Sequence, residues 1–125
     1  MKRALTTLYD LQEAESRLAE LDQTLASSGR EPAWVSASLL EDREEMAREV
    51  ATALAGVEVG LLAVYREVQK RTRPAVSQVQ DGICGRCYYH LPSELLRRVL
   101  AGTGVVRCDH CRRILVWPAA WRLQP

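Results

Sequence analysis

The chain holds four cysteines, arranged as two pairs: Cys84-Gly85-Arg86-Cys87 and Cys108-Asp109-His110-Cys111. Two Cys-x-x-Cys pairs with twenty residues between them have the spacing of a site where four thiolates hold one metal ion. No cysteine is left over, so the C-terminal part of the chain is expected to close around a single ion. A segment of about fifty residues buries too little surface to be stable without a staple, and metal binding then becomes folding energy. One structural Zn2+ is the expected cofactor, with Cys84, Cys87, Cys108 and Cys111 as its ligands. Four sulfur ligands leave no open coordination position, which argues against metal catalysis. Neither His90 nor His110 begins the His-x-Glu of a zinc deaminase. Both read as polar surface residues rather than alternative ligands. A redox Cys-x-x-Cys would need a βαβ setting, which the flanking residues do not suggest.

The N-terminus, MKRALTTLYDLQEAE, turns acidic at once and has no apolar signal core. A cytoplasmic protein is expected, and reduced thiols there favour zinc over disulfides. The most apolar stretch, Val50 to Tyr65, is too short for a bilayer, which needs about 20 apolar residues. Net charge is +1, but residues 1–73 carry a balance of −3 and residues 74–125 a balance of +4. Four thiolates and a divalent ion would lower the second figure to about +2, enough to permit nucleic-acid binding without demanding it.

The remaining sequence predicts an α+β fold. A long antiparallel coiled-coil hairpin (residues 1–73) is followed by a small four-cysteine zinc ribbon (residues 74–125). Ala4, Thr7, Leu11, Ala14, Leu18, Leu21, Leu25 and Ser28 recur three and four apart, which predicts a helix over 3–28 with a heptad seam. Gly29 is placed to cap it. A second helix is expected over 39–71, with Ser38 and Glu41 as a capping box and Arg73-Pro74 as the stop. Its stripe is Leu40, Arg43, Ala47, Val50, Leu54, Val57, Leu61, Val64 and Val68. The short Gly29–Ala37 connection makes the two helices antiparallel neighbours. Apolar residues beyond the stripe call for another covering partner, either a second copy of the chain or the metal module folding back. Gly56 and Gly60 form a Gly-x-x-x-Gly, read either as a close helix contact or as tolerated defects.

Within the module, strands are expected at Val76–Val79, Tyr88–Leu91, Val105–Arg107 and Ile114–Trp117, with a short helix over Pro92–Leu100. Arg86, Arg97, Arg98, Arg107, Arg112 and Arg113 are candidates for a phosphate-binding face. Tyr88, Tyr89, Trp117 and Trp121 could add stacking. The competing reading is a solvated arginine rim around a small aromatic core. Trp34, near the hairpin tip, is a candidate partner anchor or a pin for the loop.

The segment from Asp81-Gly-Ile-Cys84 through Leu91-Pro92 to Cys108-Asp-His-Cys111-Arg-Arg113-Ile-Leu115 resembles a bacterial family of C4-type zinc ribbon proteins with an N-terminal coiled-coil hairpin. The resemblance is strong over 81–117 and architectural over 1–73. It implies a nucleic-acid-binding or adaptor role; some family members are linked to an alternative sigma factor, flagellar transcripts or type III secretion. By the same resemblance the four cysteines are zinc ligands. The hairpin here is shorter than the family's usual one, and Arg112 stands where glycine commonly follows the last cysteine. Arginine fits there without strain if its φ is negative.

The expected function is a non-enzymatic adaptor or regulator that binds nucleic acid or a transcription or secretion component. No membrane and no small-molecule substrate is expected, and a homodimer through the coiled coil is one possible assembly. The alternatives are a pure protein–protein scaffold and a DksA-type regulator of RNA polymerase. The latter needs an acidic hairpin tip, whereas Ser28–Ser36 holds one acid and one base.

Overall fold

The computed structural model describes residues 1–27 and 33–123. The proposed Gly29 cap and most of the hairpin tip lie outside them. The protein is mostly helical, with long N-terminal helices, a small three-stranded sheet and a C-terminal four-cysteine ribbon. Helix α1 spans Lys2–Ser27, α2 Ala33–Ala55 and α3 Val59–Arg71. The module adds β1 (Val76–Gln80), β2 (Ile83–Cys84), α4 (Ser93–Ala101), β3 (Ile114–Val116) and α5 (Pro118–Arg122).

Helices α1 and α2 run antiparallel. Gly56 lies by Thr7, Arg17 reaches Glu49, and Asp22 pairs with Arg43, so partner numbers fall as α1 proceeds. Of the expected α1 seam, Leu11 and Ala14 are buried and Ala4, Thr7, Leu18, Leu21 and Leu25 half-buried, while Leu5 and Leu8, outside it, are fully buried. These ion pairs are exposed, so they fix register more than they add stability.

The second expected helix is two helices. Ser38, the proposed cap, lies inside α2, which begins at Ala33. Half-burial of Val35 and Leu39 extends the seam upstream of the capping signature. The helix then stops at Gly56. The Gly56 and Val57 N–H groups turn to Ala53 and Leu54, a tightened final turn. Glu58 is extended before α3 begins. Beyond the break the expected Val57, Leu61 and Val68 are buried, and Tyr65 takes the place of Val64. Before it, Leu39, Met46, Val50 and Ala53 lean toward α1; after it, Val57, Leu61, Tyr65 and Val68 enter the common core. Leu40, Leu54 and Val64 of the expected stripe are exposed. Gly56 faces Thr7 of α1, with an added Cβ 3.4 Å from its methyl, but Gly60 faces only the Glu58 side chain, so the Gly-x-x-x-Gly meets a neighbouring helix at its first glycine alone.

The metal module does fold back. One apolar cluster joins Leu5, Leu8 and Leu11 of α1, Leu61 and Tyr65 of α3, and Val76, Val99, Ile114 and Val116 of the module. Burying each large side chain of this kind contributes about 1.5–3 kcal/mol. Two polar fastenings accompany it. The Gln12 side-chain amide donates to the Val76 carbonyl (2.8 Å) and accepts from the Val76 N–H (2.6 Å). Val76 has its Cα partner, Ile114, on one side only, so Gln12 stands in for a strand on the other. On α3, Arg66 grips both Glu15 oxygens (3.1 and 2.9 Å), and the Tyr65 hydroxyl donates to Glu15 (2.8 Å). Burial, reinforced by Glu15, raises the Tyr65 pKa well above the ordinary tyrosine value.

The sheet order is β2-β1-β3, with β1 antiparallel to β2 and parallel to β3. A parallel pair needs a long crossover, and the segment carrying both cysteine pairs and α4 supplies it. Asp81 and Gly82 both have positive φ, the conformation of a two-residue hairpin turn. Of the expected strands, Tyr88–Leu91 and Val105–Arg107 contribute only single bridges, Ile83 with His90 and Arg107 with Ile114. The turn chemistry of the cysteine pairs consumes the flanking backbone groups that a longer ladder would use. Helix α4 falls where expected and ends at Gly102 in the left-handed conformation.

Candidate metal centre

Two loops built to the same plan bring the four cysteines together. In the first, the Cys84 N–H donates to Tyr89 O (3.0 Å) and the Tyr88 N–H to Cys84 O (2.9 Å). In the second, the Cys108 N–H donates to Arg113 O (2.9 Å) and the Arg112 N–H to Cys108 O (3.0 Å). The bridges Ile83 to His90 and Arg107 to Ile114 complete the correspondence. Residues 83–90 and 107–114 thus repeat one knuckle at a constant offset. Both knuckles end in a left-handed residue, Tyr88 at φ 62° and Arg112 at φ 67°. The negative φ that would relieve Arg112 is therefore not adopted. Closing the turn requires this conformation, and neither side chain avoids its cost.

All four sulfurs lie within 4.8 Å of one another. Two of the separations cross between knuckles: Cys84 to Cys111 and Cys87 to Cys108, each 3.7 Å. That is far beyond a disulfide bond of about 2.05 Å. It fits the edge of a tetrahedron, about 3.8 Å, around an ion with bonds of about 2.3 Å to sulfur. Cys84 and Cys108 are buried, Cys87 and Cys111 half-buried.

The surroundings of the sulfurs favour the same conclusion. Burial pushes the Cys84 thiol up, but the N–H groups of Cys87 and Arg86 and the Ser77 hydroxyl outweigh it, and its pKa falls to about 7. Burial and the three neighbouring thiols push Cys87 up to about 12, against the Tyr89 N–H. Cys108 is also raised, chiefly by burial. Crowded sulfurs resist ionising together unless a cation shares the site. The residues present therefore suit a soft divalent ion, and the donor set is a closed four-sulfur shell.

The sequence offered no sign of the outer shell. Buried Ser77 lies 3.3 Å from Cys84 Sγ. Gly85 sits so close to β1 that an added Cβ would lie 2.6 Å from the Gln78 carbonyl oxygen, while its own N–H donates to that oxygen. The Asp81-Gly82 dipeptide was a readable hairpin signal that fixes where β1 meets the first knuckle.

The six candidate arginines do not form one free cationic face. Arg113 donates to the Pro74 and Arg73 carbonyls (2.7 and 3.3 Å) and clamps the entry to the module. Arg107 donates to the Arg112 carbonyl (2.8 Å), and Arg97 pairs with Glu94. Arg86 lines a groove with Glu13, Glu15 and Glu20 of α1. Arg98 and Arg112 are exposed. Among the candidate stacking residues, Trp121 is a core residue whose indole N–H donates to Val99 O (3.0 Å). Trp117 is packed partly buried against the same core. Tyr88 is exposed, and Tyr89 stacks on His110 across the two knuckles, with ring centroids 5.3 Å apart. Trp34 is 74% exposed, so it does not pin the loop by burial.

Two solved structures share a loose likeness with the chain. CT398 from Chlamydia trachomatis is 14% identical, with 93% of this chain and 75% of that one covered and a TM-score of 0.46. The HP0958 protein from Helicobacter pylori CCUG 17874 is 13% identical, with 92% and 73% covered and a TM-score of 0.45. At these scores neither likeness supports a conclusion. No curated protein matches the chain. Residues 83–115, which hold both knuckles and all four sulfurs, match the C4-type zinc ribbon domain.

Proposed function

We propose that the protein is a non-enzymatic cytoplasmic adaptor in which one structural Zn2+, held by Cys84, Cys87, Cys108 and Cys111, makes the ribbon a rigid mount for a helical arm. The arm engages a protein partner. The observation that supports this reading is α2: over 23 residues it buries none of its side chains while exposing Trp34 and Leu40. Helices in proteins owe most of their stability to packing of an apolar face, so an arm left half-covered suits a surface completed by another protein. No helix among the described residues is long and apolar enough to cross a membrane. Pull-down of native partners with wild type, Trp34→Ala and Leu40→Glu tests the reading. Loss of a stoichiometric partner in either variant, with zinc content retained, supports it; unchanged recovery in both removes it.

A second reading is nucleic-acid binding at the knuckle surface. Tyr88 and Arg112 occupy strained backbone positions yet project into solvent, beside the Tyr89–His110 stack. Stacking faces next to a cation are the elements of single-strand recognition. Binding of RNA and DNA across a salt series, compared with Tyr88→Ala and Arg112→Ala, decides this reading. Absence of salt-sensitive binding discards it.

A further inference from the structure

A groove of about 480 Å³ runs along α3 beside the second knuckle, lined by Ala63, Val64, Glu67, Val68, Arg71 and Arg107. Its apolar lining is wholly aliphatic. Val68 is buried, and Val64 is 37% exposed where the sequence pattern had placed it in the core. The lining charges are unequal. Glu67 pairs with Lys70, whereas Arg71 and Arg107 have no carboxylate partner among the described residues. Arg107 is steadied by the Arg112 carbonyl, at 2.8 Å from its Nε, which leaves its terminal nitrogens available. An aliphatic floor beside two uncompensated guanidinium groups complements a ligand that is both aliphatic and anionic.

We propose that this groove docks an acidic, leucine-rich segment of a partner protein, with aliphatic side chains over Val64 and Val68 and carboxylates on Arg71 and Arg107. A nucleic-acid strand would satisfy the arginines but would find no aromatic ring in the groove on which to stack a base. The proposal rests on the adaptor reading and gives it a second contact, distinct from Trp34 and Leu40.

The test uses the zinc-loaded full chain and a fluorescent peptide of alternating leucine and aspartate. Its leucine–asparagine counterpart and a single-stranded oligonucleotide serve as comparison probes. The expected result is binding of the acidic peptide at least tenfold tighter than its neutral counterpart and weaker at high salt. Arg71→Gln and Arg107→Gln each weaken it by about tenfold, as expected for losing a charge-assisted contact. Arg71→Gln lies on an exposed helical surface and away from the metal, and zinc content and far-UV dichroism confirm that both variants fold. Equal binding of both peptides overturns the proposal. So does wild-type affinity in both variants, or binding of the oligonucleotide alone. If the peptide result fails while Trp34→Ala still releases the native partner, the groove assignment is wrong and the adaptor reading survives. If both fail, the adaptor reading falls with it.

Discussion

The two knuckles share one backbone and differ in what stands behind them. Each closes with the same pair of turn hydrogen bonds and the same left-handed exit residue. The first is pressed against β1: Gly85 meets the Gln78 carbonyl, and Ser77 reaches the Cys84 sulfur. The second rests on lighter supports, with Asp109 and His110 exposed and Arg107 spanning the loop to Arg112. The shared turn serves the metal, and the unequal backing serves the fold. The first knuckle couples the four-sulfur cluster to the sheet and, through Gln12 and Val76, to α1.

Replacing a ligand should erase the difference. Cys84→Ser and Cys108→Ser are each expected to abolish stoichiometric zinc and unfold the module, since metal binding is folding energy here. Metal analysis and near-UV dichroism check this, and a variant that keeps one zinc per chain would refute the four-sulfur site. The next effect separates the knuckles. Gly85→Ala forces a Cβ to 2.6 Å from a backbone oxygen and should cost about 2–3 kcal/mol, as overpacking does. Asp109→Ala, the matching change in the second knuckle, should fall within about 0.5 kcal/mol of wild type. Equal denaturation midpoints would show that β1 gives no special support to the first knuckle.

A smaller effect is expected from Ser77→Ala. Removing an outer-shell partner of a ligand lowers metal affinity by about 10–100-fold, and competition with a chromophoric chelator measures it. No change would mean that the Cys87 and Arg86 N–H groups alone sustain Cys84. The smallest effect should be common to both knuckles. Tyr88→Gly and Arg112→Gly relieve a left-handed φ, worth about 1–2 kcal/mol, and give back part of that in unfolded-chain entropy. Each should gain about 0.5–1 kcal/mol. If only one gains, the side chain at the other position makes a stabilising contact that offsets its strain.

Much of this was legible because it depends on local spacing. The cysteine pairs implied the four-sulfur site, and the seam of α1 gave part of its buried face, without Leu5 and Leu8. Arg73-Pro74 marked the end of α3, and the expected helix over Pro92–Leu100 is α4 within a residue at each end. The second helix was misread where a local pattern is ambiguous. Ser38 and Glu41 form a capping signature, yet Val35 and Leu39 continue the seam upstream. An apolar run through Gly56 shows no periodicity sharp enough to mark a break. The arginines were grouped because they cluster in sequence, but the fold turns Arg113 onto Pro74 and Arg107 onto Arg112.

The sequence by itself determined the metal chemistry and the existence of a helical arm, because ligand spacing and heptad periodicity are short-range properties of a chain. Only the tertiary structure decided which faces are buried. The long helix breaks at Gly56, Tyr65 turns inward in place of Val64, and Leu40 and Leu54 stay in solvent. Those choices follow from where distant segments meet, as Gln12 meets Val76 across 64 residues, and no local pattern encodes such a meeting.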